Sequence, residues 1–178
     1  MLAALALAAL SCATLPDAGT GSATTGATTG GSDQDGGPGH FENDEIAFDY
    51  PADWDTGEAF FPDWQPGHNS EYDAEVVAAV AKLGTDTPFE KYTVSCSVMR
   101  RDLPDGPTLE DVMAETYAGM VIEQVISERT VTVAGTMGYE RVYTQYRGEP
   151  LWQVRETWVE INGMITIIRC ESLPNQFE

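Results

Sequence analysis

The amino-acid sequence predicts an α+β domain, a mostly antiparallel β-sheet of about six strands packed by one main helix. Three observations carry this. Runs that alternate apolar with polar residues recur from residue 46 towards the C-terminus. One segment among them has helical spacing behind a capping threonine. The last two runs are joined by Asn162-Gly163, a pair suited to a two-residue hairpin turn because both central positions need positive φ.

The first strand is expected at Ile46–Tyr50, where Ile46, Phe48 and Tyr50 alternate with smaller or polar residues and Pro51 ends the pairing. The alanines of Ala74–Leu83 favour helix, but Glu75-Val76-Val77 and the strand-like run that follows favour a sheet, and the segment is assigned to a strand. Tyr92–Met99 comes next, with Val94, Cys96 and Val98 on one face. Thr108 is expected to cap a helix, with Glu110 and Asp111 facing the positive end of its dipole. Leu109, Val112, Met113, Tyr117, Met120 and Val121 form its apolar stripe, a surface for packing on the sheet.

From there the chain reads as a meander of Thr130–Ala134, Tyr139–Tyr146, Trp152–Ile161 and Met164–Glu171. A two-residue loop at Asn162-Gly163 sets Ile161 opposite Met164, Val159 opposite Thr166, Trp158 opposite Ile167 and Glu156 opposite Arg169. The last pair joins opposite charges and supports that register.

The N-terminal part has a different composition. Leu2–Leu10 is an unbroken run of alanine and leucine, too short for a membrane span of about 20 residues but of signal-peptide length. No Lys or Arg precedes it. It ends in Ala8-Ala9-Leu10-Ser11-Cys12, which resembles the lipobox of bacterial and archaeal lipoproteins, with Ala9 where leucine is commoner. That resemblance implies a signal peptide over 1–11 and lipidation of Cys12; a plain secretory signal is the alternative. Residues 12–43 read as a disordered Thr/Gly/Ser/Asp stalk, because residues 13–40 contain no Phe, Tyr or Trp and few large apolar groups to drive folding. Such a coil reaches about 30 Å, enough to hold a domain clear of a lipid surface. Asp33-Gln34-Asp35-Gly36 begins like a calcium loop, but Pro38 occupies the position where an EF-hand requires glycine. Residues 44–178 are left for one folded domain.

The chain of 178 residues carries 29 acidic and 9 basic residues, a net charge of −20. That field repels a phosphate backbone and speaks against a nucleic-acid partner. Molar salt, with a screening length of about 3 Å, makes such self-repulsion tolerable, so the composition points to a salt-adapted, halophilic cell. Cys96 and Cys170 lie in separate strands; if their faces converge, an exterior location permits a disulfide, and two buried thiols are the alternative. No CxxC or HxxxH spacing suggests a metal, and no motif asks for a cofactor.

Phe48-Asp49-Tyr50-Pro51-Ala52-Asp53-Trp54 resembles the opening of PsbP-like domains, in which a strand ends in aromatic-proline and a tryptophan follows three residues later. The order helix, two strands, long aromatic strand, Asn-Gly turn and Met164-Ile-Thr-Ile-Ile168 is similar to that family over roughly residues 43 to 178. The resemblance implies an antiparallel sheet flanked by helices and a non-enzymatic accessory or assembly role. The family pattern continues into a closing C-terminal helix, whereas this sequence ends at Asn175-Gln-Phe-Glu178, so that helix is expected to be missing.

The expected function is therefore an extracytoplasmic binding or assembly module, held to the membrane through Cys12 and partnered by an unidentified envelope protein. A small surface hydrolase is the alternative. It would use carboxylates of the 49–63 segment, where Asp49, Asp53, Asp55 and Asp63 lie among Tyr50, Trp54, Phe60, Phe61 and Trp64. His40 and His68 fall in linker or loop and read as solvated, and Arg100-Arg101 reads as a surface pair at a strand end.

Overall fold

The computed structural model describes residues 6–7, 38–43, 46–56, 67–83, 92–146 and 151–176. Its strands are β1 (Ala6–Leu7), β2 (Gly39–Glu42), β3 (Ala47–Tyr50), β4 (Asp55–Thr56), β5 (His68–Asn69), β6 (Ala74–Leu83), β7 (Tyr92–Asp102), β8 (Ile122–Val133), β9 (Thr136–Tyr146), β10 (Leu151–Ile161) and β11 (Met164–Ser172). The helix α1 spans Leu109–Ala118, and a 3₁₀ turn at Pro174–Gln176 follows β11. The fold is α+β, as expected, with more strands than the sequence suggested.

An antiparallel sheet in the order β4-β6-β7-β11-β10-β9-β8, with β5 also on β6, forms the frame. α1 covers one face, where Leu109, Val112 and Tyr117 meet Met99, Trp158, Ile165 and Ile167. The other face is covered by the smaller sheet β1-β3-β2, whose Phe48, with the adjoining Ile46, packs among Val80, Cys96, Val98 and Ile168. The central strands are thus buried on both sides. This explains why Met164-Ile-Thr-Ile-Ile168 is nearly continuous in apolar residues.

Local chemistry sets the elements. Thr108 caps α1 as expected, its Oγ1 accepting from the Asp111 amide (3.2 Å) while Asp111 Oδ2 accepts from the Thr108 amide (2.9 Å). Asn162 and Gly163 have φ of 55° and 77°, and β10 and β11 pair with Ile161 opposite Met164 and Glu156 opposite Arg169. The same left-handed turn recurs between β8 and β9 at Ala134 and Gly135, with φ of 49° and 80°.

Four expectations need correction. The folded part reaches back into the segment read as stalk: Gly39–Glu42 pairs with β3, because Phe41 stacks on Phe48 at 5.2 Å. α1 stops at Ala118, which leaves Met120 and Val121 outside it, and Val121 is exposed. β8 begins at Ile122 rather than Thr130; its first half is exposed on both sides and so has no apolar alternation to read. β7 runs on through Arg100 and Arg101, and Arg101 is largely covered, donating from Nη1 to the Tyr72 carbonyl at 2.9 Å.

Cys96 and Cys170 stand directly opposite each other on β7 and β11, and their sulfurs are bonded at 2.08 Å. A crosslink over 74 residues restricts the unfolded chain, so replacing both cysteines by alanine is expected to lower stability by about 2–4 kcal/mol. Alkylation of the denatured chain without reductant should leave both residues unlabelled; two labelled cysteines would show separate thiols.

Candidate functional site

β10 presents Val154, Glu156 and Trp158 in succession to the face under α1. Two of these positions are apolar. The third holds a carboxylate with 0% of its surface exposed. A glutamate there is costly unless its oxygens are paired, and the neighbouring elements supply the partners.

Tyr143, on β9 and diagonal to it, donates to Oε1 at 2.5 Å. Tyr117, the last buried residue of α1, donates to Oε2 at 2.7 Å. Tyr72, from the turn before β6, also donates its hydroxyl proton to Oε1. The Trp158 indole donates to Oε2 at 3.3 Å. Arg169 stands opposite on β11, with Nε 3.5 Å from Oε1 and 2.9 Å from the Tyr72 hydroxyl oxygen that accepts from it. Its Nη1 meets Glu171 Oε2 at 2.5 Å.

The arrangement extends outward on the other side. Arg141 lies opposite Glu156 on β9, places its guanidinium 3.7 Å from the Tyr117 ring centroid and donates from Nε to Glu128 at 2.6 Å. The Tyr117 ring also packs against Tyr143 and Trp158, with centroids 6.2 Å and 5.9 Å away. One carboxylate therefore ties together a helix, a turn and three neighbouring strands.

Burial raises the proton affinity of the Tyr72, Tyr117 and Tyr143 phenols well above the ordinary value, and the adjacent Glu156 charge adds to it. For Arg169, burial opposes the charge, but the oxygens of Tyr72, Glu171, Tyr143 and Glu156 more than offset it and hold the guanidinium protonated. The cluster is thus built to keep three neutral phenols around an acceptor. With its oxygens enclosed by protein donors, it offers a substrate neither access nor a free acceptor.

The residues singled out from sequence lie elsewhere. Cys12 lies outside the described residues, as do Asp63, Phe60, Phe61 and Trp64. Asp49 contacts His40 Nδ1 at 2.6 Å, whereas Asp53 contacts Lys82 Nζ at 2.6 Å, so the two carboxylates have different partners. Asp55 is half-buried in β4 opposite Ala81. His40 and His68 are solvent-exposed as expected, but they sit in β2 and β5 rather than in linker or loop. Among the described residues no group of three or more His, Cys, Asp or Glu side chains could hold a metal ion.

No protein-family model matches the sequence, and no curated protein is significantly similar to it. Solved structures do share its architecture. A cyanobacterial PsbP from Synechocystis sp. aligns with a TM-score of 0.51 at 15% identity, covering 85% of this chain and 88% of that one. The chain has a PsbP-like fold. LpqN of Mycobacterium tuberculosis, described as involved in cell envelope biogenesis, aligns at 0.50 with 12% identity, covering 80% and 76%. A protein of unknown function from Pseudomonas aeruginosa aligns at 0.47 with 12% identity, covering 78% and 85%.

The raised phenols of this PsbP-like domain set its alkaline behaviour. A group whose folded proton affinity is raised stabilises the fold fully below the unfolded value and loses that contribution as pH rises towards the folded one. Each of the three tyrosines should therefore weaken the fold by about 1.4 kcal/mol per pH unit above about pH 10. Denaturant midpoints measured from pH 9 to 12 check this, and Tyr117→Phe should make the slope shallower by one tyrosine. An alkaline slope that is unchanged in Tyr117→Phe would contradict the burial of that phenol.

Proposed function

We propose that this chain is a non-enzymatic surface lipoprotein of a salt-adapted cell, an extracytoplasmic binding or assembly module anchored through Cys12. The observation that carries the reading is the enclosure of Glu156: the densest polar constellation among the described residues is spent on holding the fold together. LpqN, with its role in cell envelope biogenesis, supplies a precedent for the architecture in such a setting. The composition adds the rest, with an apolar run ending at Cys12, a segment suited to a tether and a net charge of −20.

The hydrolase alternative requires two carboxylates acting on one bond at a set separation. Asp49 and Asp53 each engage a separate partner, His40 and Lys82, which favours the binding module.

Crosslinking in native membranes at high salt, followed by capture of this chain, is expected to retrieve a specific envelope protein. The Asp49→Asn/Asp53→Asn protein should retrieve it too. Loss of an ester- or glycoside-cleaving activity in that double variant would instead establish the hydrolase. Metabolic labelling with a lipid precursor should mark the wild type and not Cys12→Ser; label retained in Cys12→Ser would remove the anchor.

A further inference from the structure

His40 lies on β2, opposite Asp49 in the β2–β3 ladder. Both ring nitrogens face carboxylates. Nδ1 is 2.6 Å from Asp49 Oδ1 on β3, and Nε2 is 3.6 Å from Glu42 Oε2 on its own strand. A neutral imidazole has one N–H, so one nitrogen would turn a lone pair towards a carboxylate oxygen; the imidazolium can donate from both. The protonated ring satisfies both contacts, the neutral ring only one. Apart from Asp49 and Glu42, no described ionisable group is paired with it.

We propose that His40 is a pH-sensitive clasp that fastens β2 to the small sheet. With the ring protonated, Asp49 and Glu42 are bridged and β2 lies closed on β3. With the proton lost, the ring keeps a single N–H, so only one of the two carboxylates stays bridged and β2, with Phe41 on Phe48, is held less tightly. Opening unpairs the four residues of β2, about 13 Å of extended chain. It also thins the cover over the apolar face that holds the Cys96–Cys170 pair.

The sign follows from the partners. The hydrogen bond to Asp49 raises the proton affinity of His40 above its ordinary value against a smaller opposing effect of burial. The clasp is therefore fully closed below about pH 6.5 and weakens as pH rises through the higher folded value. Exposed ion pairs are worth little, so the expected change in local stability is a factor of about two to five.

Amide hydrogen exchange in the full-length protein reads this directly. Protection factors for the β2–β3 ladder, and for the Asn43 amide that donates to the Ile46 carbonyl at 3.0 Å, are compared at pH 5.5 and 8.5 in molar salt. Protection is expected to fall two- to five-fold at the higher pH, while β10 and β11 amides, as internal controls for folding, stay constant. His40→Gln should abolish the difference, and His68→Gln, which removes the histidine beside Asp73 and Glu75, should leave it intact. Equal protection at both pH values, or a difference that survives His40→Gln, would overturn the clasp.

Discussion

A glutamate with no exposed surface constrains this fold more than any single apolar contact. Removing Glu156 from water costs several kcal/mol, and only a complete set of partners offsets it. Those partners come from α1, the turn before β6, β9, β11 and β10 itself. Each element must therefore arrive in one position. An apolar core tolerates sliding and repacking, whereas a donor displaced from a buried carboxylate leaves an unsatisfied charge.

The two faces of the main sheet are held by different means. Under α1 the apolar contacts of Leu109, Val112, Met99, Ile165 and Ile167 surround the polar cluster. On the opposite face the cover is a small three-stranded sheet, and beneath it Cys96 and Cys170 bridge two neighbouring central strands. A helix seated by directional bonds and a thin sheet over a crosslinked face make the second face the easier one to uncover. Acidic side chains spread over the remaining surface, a charge distribution that high salt screens.

Much of the frame was legible because it depends on local chemistry. Asn162-Gly163 determined the hairpin and thereby set Glu156 against Arg169, and Thr108 marked the start of α1. The register even held a clue to the buried site, since it places Glu156 on the same face as Trp158. What sequence spacing could not show is that Tyr72 and Tyr117, 84 and 39 residues away, turn their hydroxyls to the same carboxylate. The early part of β8 escaped notice because every residue from Glu123 to Thr130 is exposed, Val125 and Ile126 included, so no apolar alternation marks it. β2 escaped because its one apolar side chain, Phe41, acquires meaning only when β3 folds beside it.

The central claim is that Glu156 and Arg169 act as one buried unit. A double-mutant cycle of Glu156→Leu, Arg169→Leu and the pair together, read by denaturant unfolding, tests it most directly. Each single change takes one partner from a buried charge and should cost about 3–5 kcal/mol, while the double variant should lose at least about 2 kcal/mol less than the sum. Effects that add to within about 0.5 kcal/mol would contradict the account.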